Sequence, residues 1–193
     1  MARPNQTEAA VLGALTVMPM TGYALREAIR DVLGHFWSES FGQIYPTLAR
    51  LERNGLVKRT DSARTGSSTF RITPAGRRRL RELLAQPIQP VPPRNGLMLR
   101  LFFGRQLGPE ACRELVLEAK TEAERNLVEL AAIRQELDQE VEHAEDRPYW
   151  LLTVSAGEHS ARAAIAWADE ALAALDAIAA NERSTTEGRS ERR

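Results

Sequence analysis

Gly42-Gln43-Ile44-Tyr45-Pro46-Thr47-Leu48-Ala49-Arg50-Leu51-Glu52-Arg53-Asn54-Gly55-Leu56-Val57 is the stretch on which the reading of the whole chain turns. Within a helix predicted over about 39–54, Ile44, Leu48 and Leu51 recur at the spacing of one helical face and point inward. Gln43, Thr47, Arg50 and Arg53 fall on other faces. Asn54-Gly55 is a stop and turn signal, because glycine enters the left-handed region at no steric cost. Leu56-Val57-Lys58-Arg59 then starts an extended run.

Upstream, residues 6–18 form a small buried helix ending near Pro19. Thr21 is the expected N-cap of a second helix, whose Leu25, Ala28, Ile29, Val32 and Leu33 follow an amphipathic stripe closed by Gly34. Downstream, Thr69-Phe70-Arg71-Ile72-Thr73 returns as a second strand, after a polar loop from Thr60 to Ser68 that carries Arg64. Thr73-Pro74 is an N-cap followed by proline at the first helical position, opening a helix over about 74–85 with the basic run Arg77-Arg78-Arg79-Arg81. Helix, helix, helix, hairpin, helix is the order of a winged helix-turn-helix with one added helix.

Gln86 to Pro93 holds four prolines in eight residues and reads as a stiff connector. Beyond it the pattern is almost wholly helical. Gly96 to Gly108 is a short apolar helix. A long helix over 109–145 would carry an unbroken seam from Cys112 to Ala144, roughly 55 Å at 1.5 Å per residue. Asp146-Arg147-Pro148 turns the chain into a second long helix over about 149–181, so the two form an antiparallel hairpin. The expected fold is therefore mainly α. A winged helix-turn-helix spans 1–86, a Pro-rich linker 87–94, a helical dimerisation domain 95–181 and a disordered tail 182–193.

The formal net charge is zero, but it is divided unevenly. Residues 1–85 hold 13 Lys+Arg against 7 Asp+Glu, and residues 86–193 hold 13 against 19. The basic half is the candidate for a polyanionic partner. No apolar run approaches the ~20 residues a membrane helix needs, and Met1-Ala2-Arg3-Pro4-Asn5 lacks the apolar core of a secretory signal. A single cysteine makes neither an internal disulfide nor a CxxC metal site, and the three histidines share no ligand spacing. A cytoplasmic protein without cofactor or metal is expected.

A helix that enters the major groove needs an apolar side on its scaffold and hydrogen-bonding and cationic groups on the other. Ser38, Ser40, Gln43 and Tyr45 stand near the start of the 39–54 helix, with Thr47, Arg50 and Arg53 behind. Gln43 can bond adenine in a bidentate way, while Ser40 and Tyr45 suit phosphate. Arg64 in the hairpin loop, flanked by Arg59 and Arg71, suits a wing laid along the backbone of double-stranded DNA.

Thr21-Gly22-Tyr23-Ala24-Leu25, the Gly42–Val57 run and Phe70-Arg71-Ile72-Thr73-Pro74-Ala75-Gly76 together resemble the PadR family of bacterial transcriptional regulators. Pro93-Arg94 before Leu101-Phe102-Phe103-Gly104 and the two long helices resemble the virulence-activator type of PadR C-terminal domain. The resemblance implies a homodimer on a pseudo-palindromic operator, usually a repressor, with Ser40, Gln43 and Tyr45 at the DNA face. It also implies response to a small aromatic effector. The aromatic segment His35-Phe36-Trp37 departs from the family pattern, and could stack on the core or on a ligand.

In the second half, Leu127, Leu130, Leu137, Val141, Leu151, Ile165 and Leu172 are the expected dimerisation seam. Trp37, Phe103, Trp150 and Trp167 are read either as core or as an effector pocket, and Cys112 as packing or as a redox sensor. An enzyme is excluded by the lack of a Gly-rich phosphate loop, a nucleophile elbow or a histidine partnered to Cys112. The alternative function is a protein-binding coiled-coil adaptor, or an activator that works with a partner protein.

Overall fold

The structure is a computed structural model that describes the backbone of residues 3–34, 36–37, 41–61, 68–88 and 94–190, with the side chains of 3–5, 32, 41, 61 and 182–190 left out. It falls into two units, Met1–Val91 and Pro92–Arg193.

In the first unit, α1 (Arg3–Val17) leads through the two-residue strand β1 (Met20–Thr21) into α2 (Gly22–Ala28). Thr21 caps α2 as expected: its side chain accepts a hydrogen bond from the Ala24 N–H at 3.1 Å. The stripe read as one helix up to Gly34 is divided, since the chain widens into a π-helical turn at Ile29–Leu33. A 3-10 turn at Phe41–Gln43 precedes α3 (Ile44–Arg53), so the described α-helix begins later than residue 39. Asn54-Gly55 ends α3 in a Schellman arrangement. Leu56 N donates to Leu51 O and Gly55 N to Glu52 O, both at 2.9 Å, with Gly55 at φ +69°.

The wing is β2 (Val57–Asp61) paired antiparallel with β3 (Ser68–Ile72), in the register Val57 to Ile72 and Lys58 to Arg71. The sequence reading found these two strands and missed β1, which pairs antiparallel with the other side of β3, Met20 opposite Phe70. Two residues carry no alternation to detect. Thr73 then caps α4 (Pro74–Leu84) by accepting from Gly76 N at 3.1 Å, while its own N–H donates to Leu56 O at 3.0 Å. The core of this unit is Val11, Leu12 and Leu15 from α1, Leu25 and Ile29, Ile44, Leu48 and Leu51 from α3, and Val57, Ile72, Leu80 and Leu83. Leu33 and Trp37 pack against it.

The second unit holds α5 (Gly96–Phe102), a 3-10 turn, α6 (Pro109–Asp138) and α7 (Arg147–Ser190). Asn95 caps α5, its side chain accepting from Met98 N at 3.1 Å. Helix α6 ends at Asp138, earlier than the expected 145, because the side chain of Glu140 captures the Glu142 and His143 N–H groups at 2.7 and 3.2 Å. Those hydrogen bonds hold the Glu140 carboxyl below the usual carboxylate range. Arg147 covers the freed carbonyls of Asp138 and Glu140 at 3.4 Å each. At the far end the backbone of α7 stays helical to Ser190, where the sequence reading expected disorder from 182. A long helix already formed adds each further residue without a new nucleation cost.

The hairpin is antiparallel in register. Arg113 pairs with Asp176 at 3.1 Å, and Lys120, seven residues on, with Asp169 at 2.6 Å, seven residues back. Such exposed pairs contribute about 0–1 kcal/mol each and mainly report alignment. Glu158 is different: buried, it accepts from Arg134 Nε at 2.8 Å and Nη2 at 3.1 Å. The guanidinium of Arg134 lowers the Glu158 pKa below the ordinary glutamate value. Cys112, Val116 and Leu130 of α6 are buried with Val154, Ala161 and Ala168 of α7.

Candidate nucleic-acid interface

Helix α3 is held by one side. Ile44, Thr47, Leu48 and Leu51 face the core, which leaves Gln43, Tyr45, Ala49 and Arg53 exposed on the other. The Tyr45 ring lies against Gly22 at the start of α2: a Cβ there would come within 2.8 Å of Tyr45 Cε1 and the ring would have to shift. Beside this contact Thr21, Tyr23, Tyr45, Glu52, Arg59 and Phe70 line an open notch of about 440 Å³ between α2, α3 and the wing.

The wing adds charge. Lys58 and Arg71 stand directly opposite each other in the β2–β3 register, both exposed, and neither has an ion-pair partner among the described residues. Like charges opposite one another on a strand pair are destabilising. The arrangement makes physical sense if an anion neutralises them.

The model of the transcriptional regulator PadR-like family matches residues 11–82, and that of the virulence activator alpha C-terminal domain matches 93–176. A curated relative, the negative transcriptional regulator PadR of Bacillus subtilis, is 25% identical over 176 residues, 86% of this chain and 96% of its own. Each of its two units thus resembles a domain of PadR-like transcriptional regulators.

Solved PadR-like structures share its fold. A PadR-like transcriptional regulator of Bacillus cereus aligns with TM-score 0.75 at 23% identity, over 89% of this chain and 99% of its own. Bacillus subtilis PadR in complex with operator DNA aligns with TM-score 0.72 at 22% identity, over 87% and 98%. The same protein in complex with p-coumaric acid gives 0.68 at 24%, over 88% and 98%. PadR-like proteins are transcriptional regulators, not enzymes.

Gln43 in the turn that leads into α3, Tyr45 on α3 and Arg71 on the wing are exposed, while Ser38, Ser40 and Arg64 lie outside the described residues. Thr47 is corrected: at 6% exposure it is part of the inward face, one position from Leu48, and is unavailable to a ligand. Arg50, with its side chain 39% exposed, donates from Nη1 to Glu8 Oε2 at 2.8 Å. Of the basic run on α4, Arg79 turns back to Glu8 as well, whereas Arg77, Arg78 and Arg81 are exposed. Lys58 and Glu8 are the residues that sequence reasoning missed. The like-charge pair needs the strand register, and Glu8 looked like an ordinary polar position on a helix.

The seam on the long helices needs a similar correction. Leu130 is 1% exposed within a single chain, and a Cβ on Gly157 of α7 would approach its Cδ1 to 2.9 Å. It belongs to the contact between α6 and α7, not to a surface for a second copy. Leu127, Leu137, Leu151, Ile165 and Leu172 are half-buried, and Val141 lies exposed in the turn after α6. The exposed apolar side chains on the two helices are instead Leu117, Val128, Tyr149, Leu152 and Ile178. Leu117 and Val128, eleven residues apart, share a face of α6.

The four aromatics are divided between the two units. Trp37 packs against the core of the first, whereas Phe103, Trp150 and Trp167 belong to the second. There Phe103 meets Phe102 edge-on with centroids 5.1 Å apart, and Trp150 lies 5.6 Å from the His143 ring. Among the described residues no helix is long and apolar enough to cross a membrane, and no cluster of His, Cys, Asp and Glu could hold a metal.

Proposed function

We propose that this PadR-like regulator acts in the cytoplasm as a homodimer on double-stranded DNA, repressing transcription from a pseudo-palindromic operator. The observation that carries the reading is the uncompensated Lys58–Arg71 pair on the wing, set beside the exposed polar face of α3. Phosphate contacts position a protein on the duplex, and base contacts give sequence preference. Lys58, Arg71 and Tyr45 take the first role and Gln43 the second.

Binding to a duplex should weaken steeply between about 50 and 200 mM salt as counterions are released. Arg71→Ala should weaken binding to operator and unrelated duplex alike, and should flatten the log–log salt slope by about one. Tyr45→Phe should lower both affinities in the same way. A shift in base preference, read by selection from a random pool, would remove Tyr45 from the phosphate role.

For the dimer, the reading rests on the exposed apolar side chains of α6 and α7. Two copies that meet there hide surface that one chain leaves in water. Val128→Glu together with Leu152→Glu should give a monomer by sedimentation with helical content retained. A dimer of undiminished stability would move the interface elsewhere. Release from the operator by a small aromatic effector completes the reading, supported by the complex of Bacillus subtilis PadR with p-coumaric acid.

A further inference from the structure

Glu8 is 3% exposed, on the same helix as the core residues Val11, Leu12 and Leu15. A carboxylate so placed needs compensation, and it comes from two different helices. Oε2 accepts from Arg50 Nη1 of α3 at 2.8 Å, and Oε1 from Arg79 Nε of α4 at 2.8 Å. Breaking one partner of a buried ion pair is far more costly than never having made it, so the carboxylate defines where both helices dock. Hydrogen bonding to Glu8 raises the Arg79 pKa further above its ordinary value.

The consequence lies on α3. Arg50 stands one turn before the exposed Arg53, at the edge of the face that carries Tyr45. A guanidinium free at that position would pair with the phosphates of any sequence, strengthening non-specific binding as much as specific. Glu8 holds it instead.

We propose that Glu8 is a positioning residue that withholds Arg50 from DNA and fixes which face of α3 enters the groove, so that it sets specificity without touching the nucleic acid. The proposal rests on the DNA-binding reading above.

The test compares the full-length protein with Glu8→Gln, Arg50→Gln and the double variant. Each is titrated with a duplex selected by the unmodified protein from a random pool, and with a scrambled duplex of the same composition, across a salt series. Glu8→Gln should bind the scrambled duplex more tightly, with a salt slope steeper by about one as Arg50 is released, and the selected duplex about tenfold more weakly. Arg50→Gln should lose affinity for the selected duplex while leaving scrambled binding and its salt slope unchanged. The double variant should return the slope to that of the unmodified protein.

A slope flattened by about one in Arg50→Gln, on both duplexes, would make Arg50 a phosphate ligand and overturn the proposal. Equal weakening on both duplexes by Glu8→Gln, at an unchanged slope, would reduce Glu8 to a structural role and overturn it too. So would no effect of either single variant. Should Glu8→Gln fail to fold, Arg50→Gln decides alone. If the unmodified protein ignores every duplex at low salt, the failure belongs to the DNA-binding reading itself.

Discussion

Gly76→Val should cost the N-terminal unit about 2–4 kcal/mol and abolish its binding to duplex DNA. The second residue after Pro74 in α4 lies against the end of the preceding turn. Any Cβ there would drive into the Leu56 carbonyl oxygen and would also meet Ile72 Cγ1 at 2.8 Å. A flexible side chain could move aside, but a backbone carbonyl that already accepts the Thr73 N–H at 3.0 Å cannot do so cheaply. Relief requires α4 to shift outward, and that shift breaks the cap formed by the Thr73 hydroxyl with Gly76 N. Overpacking of about 1–3 kcal/mol and loss of a cap worth about 1 kcal/mol act together. A small domain has on the order of 5–15 kcal/mol to lose, so the midpoint of denaturant unfolding should fall sharply. An unchanged midpoint would mean that the start of α4 does not lie against the Leu56 carbonyl as described.

Leu130→Ala should be as damaging in the other unit, by about 2–5 kcal/mol. Leu130 fills the space that Gly157 leaves on α7, and Gly157 has no side chain to close the gap. Removing it leaves a void bordered by a residue without a side chain, which favours the upper part of that range. Thermal unfolding followed by circular dichroism at 222 nm should show the helical hairpin melting on the order of 10 °C lower. Glutamate at the same position should open the hairpin before it affects any pairing between copies. A Leu130→Glu protein that is monomeric yet fully helical and equally stable would return the residue to the intermolecular seam.

What the sequence disclosed, and what it hid, follow from the range of the interactions. The cap at Thr21, the stop at Asn54-Gly55 and the Thr73-Pro74 start are contacts between residues three to five apart, and all three are found in the structure. The wing strands show through the alternation of Phe70 and Ile72. By contrast Glu8 reaches partners 42 and 71 residues away, and nothing local distinguishes it from a solvated glutamate. Thr47 was misplaced because one helical face admits two adjacent positions, 47 and 48, and its hydroxyl suggested the polar side. On the long helices, periodicity reveals that a face is apolar but not what covers it. Leu130 and its neighbours are covered by the returning helix of their own chain.

The three-stranded sheet has a consequence for solubility. Its middle strand, β3, has both sides of its backbone occupied, so only the outer flanks of β1 and β2 could recruit a strand from another molecule. The first offers two residues, too few to template an intruder, and the second presents Lys58 and Arg59 along its length. Short flanks and cations are the means by which sheet proteins avoid edge-to-edge aggregation. The cations proposed to draw the wing towards phosphate would thus also keep two wings from joining, which suits a regulator that must stay dispersed while it searches for its target.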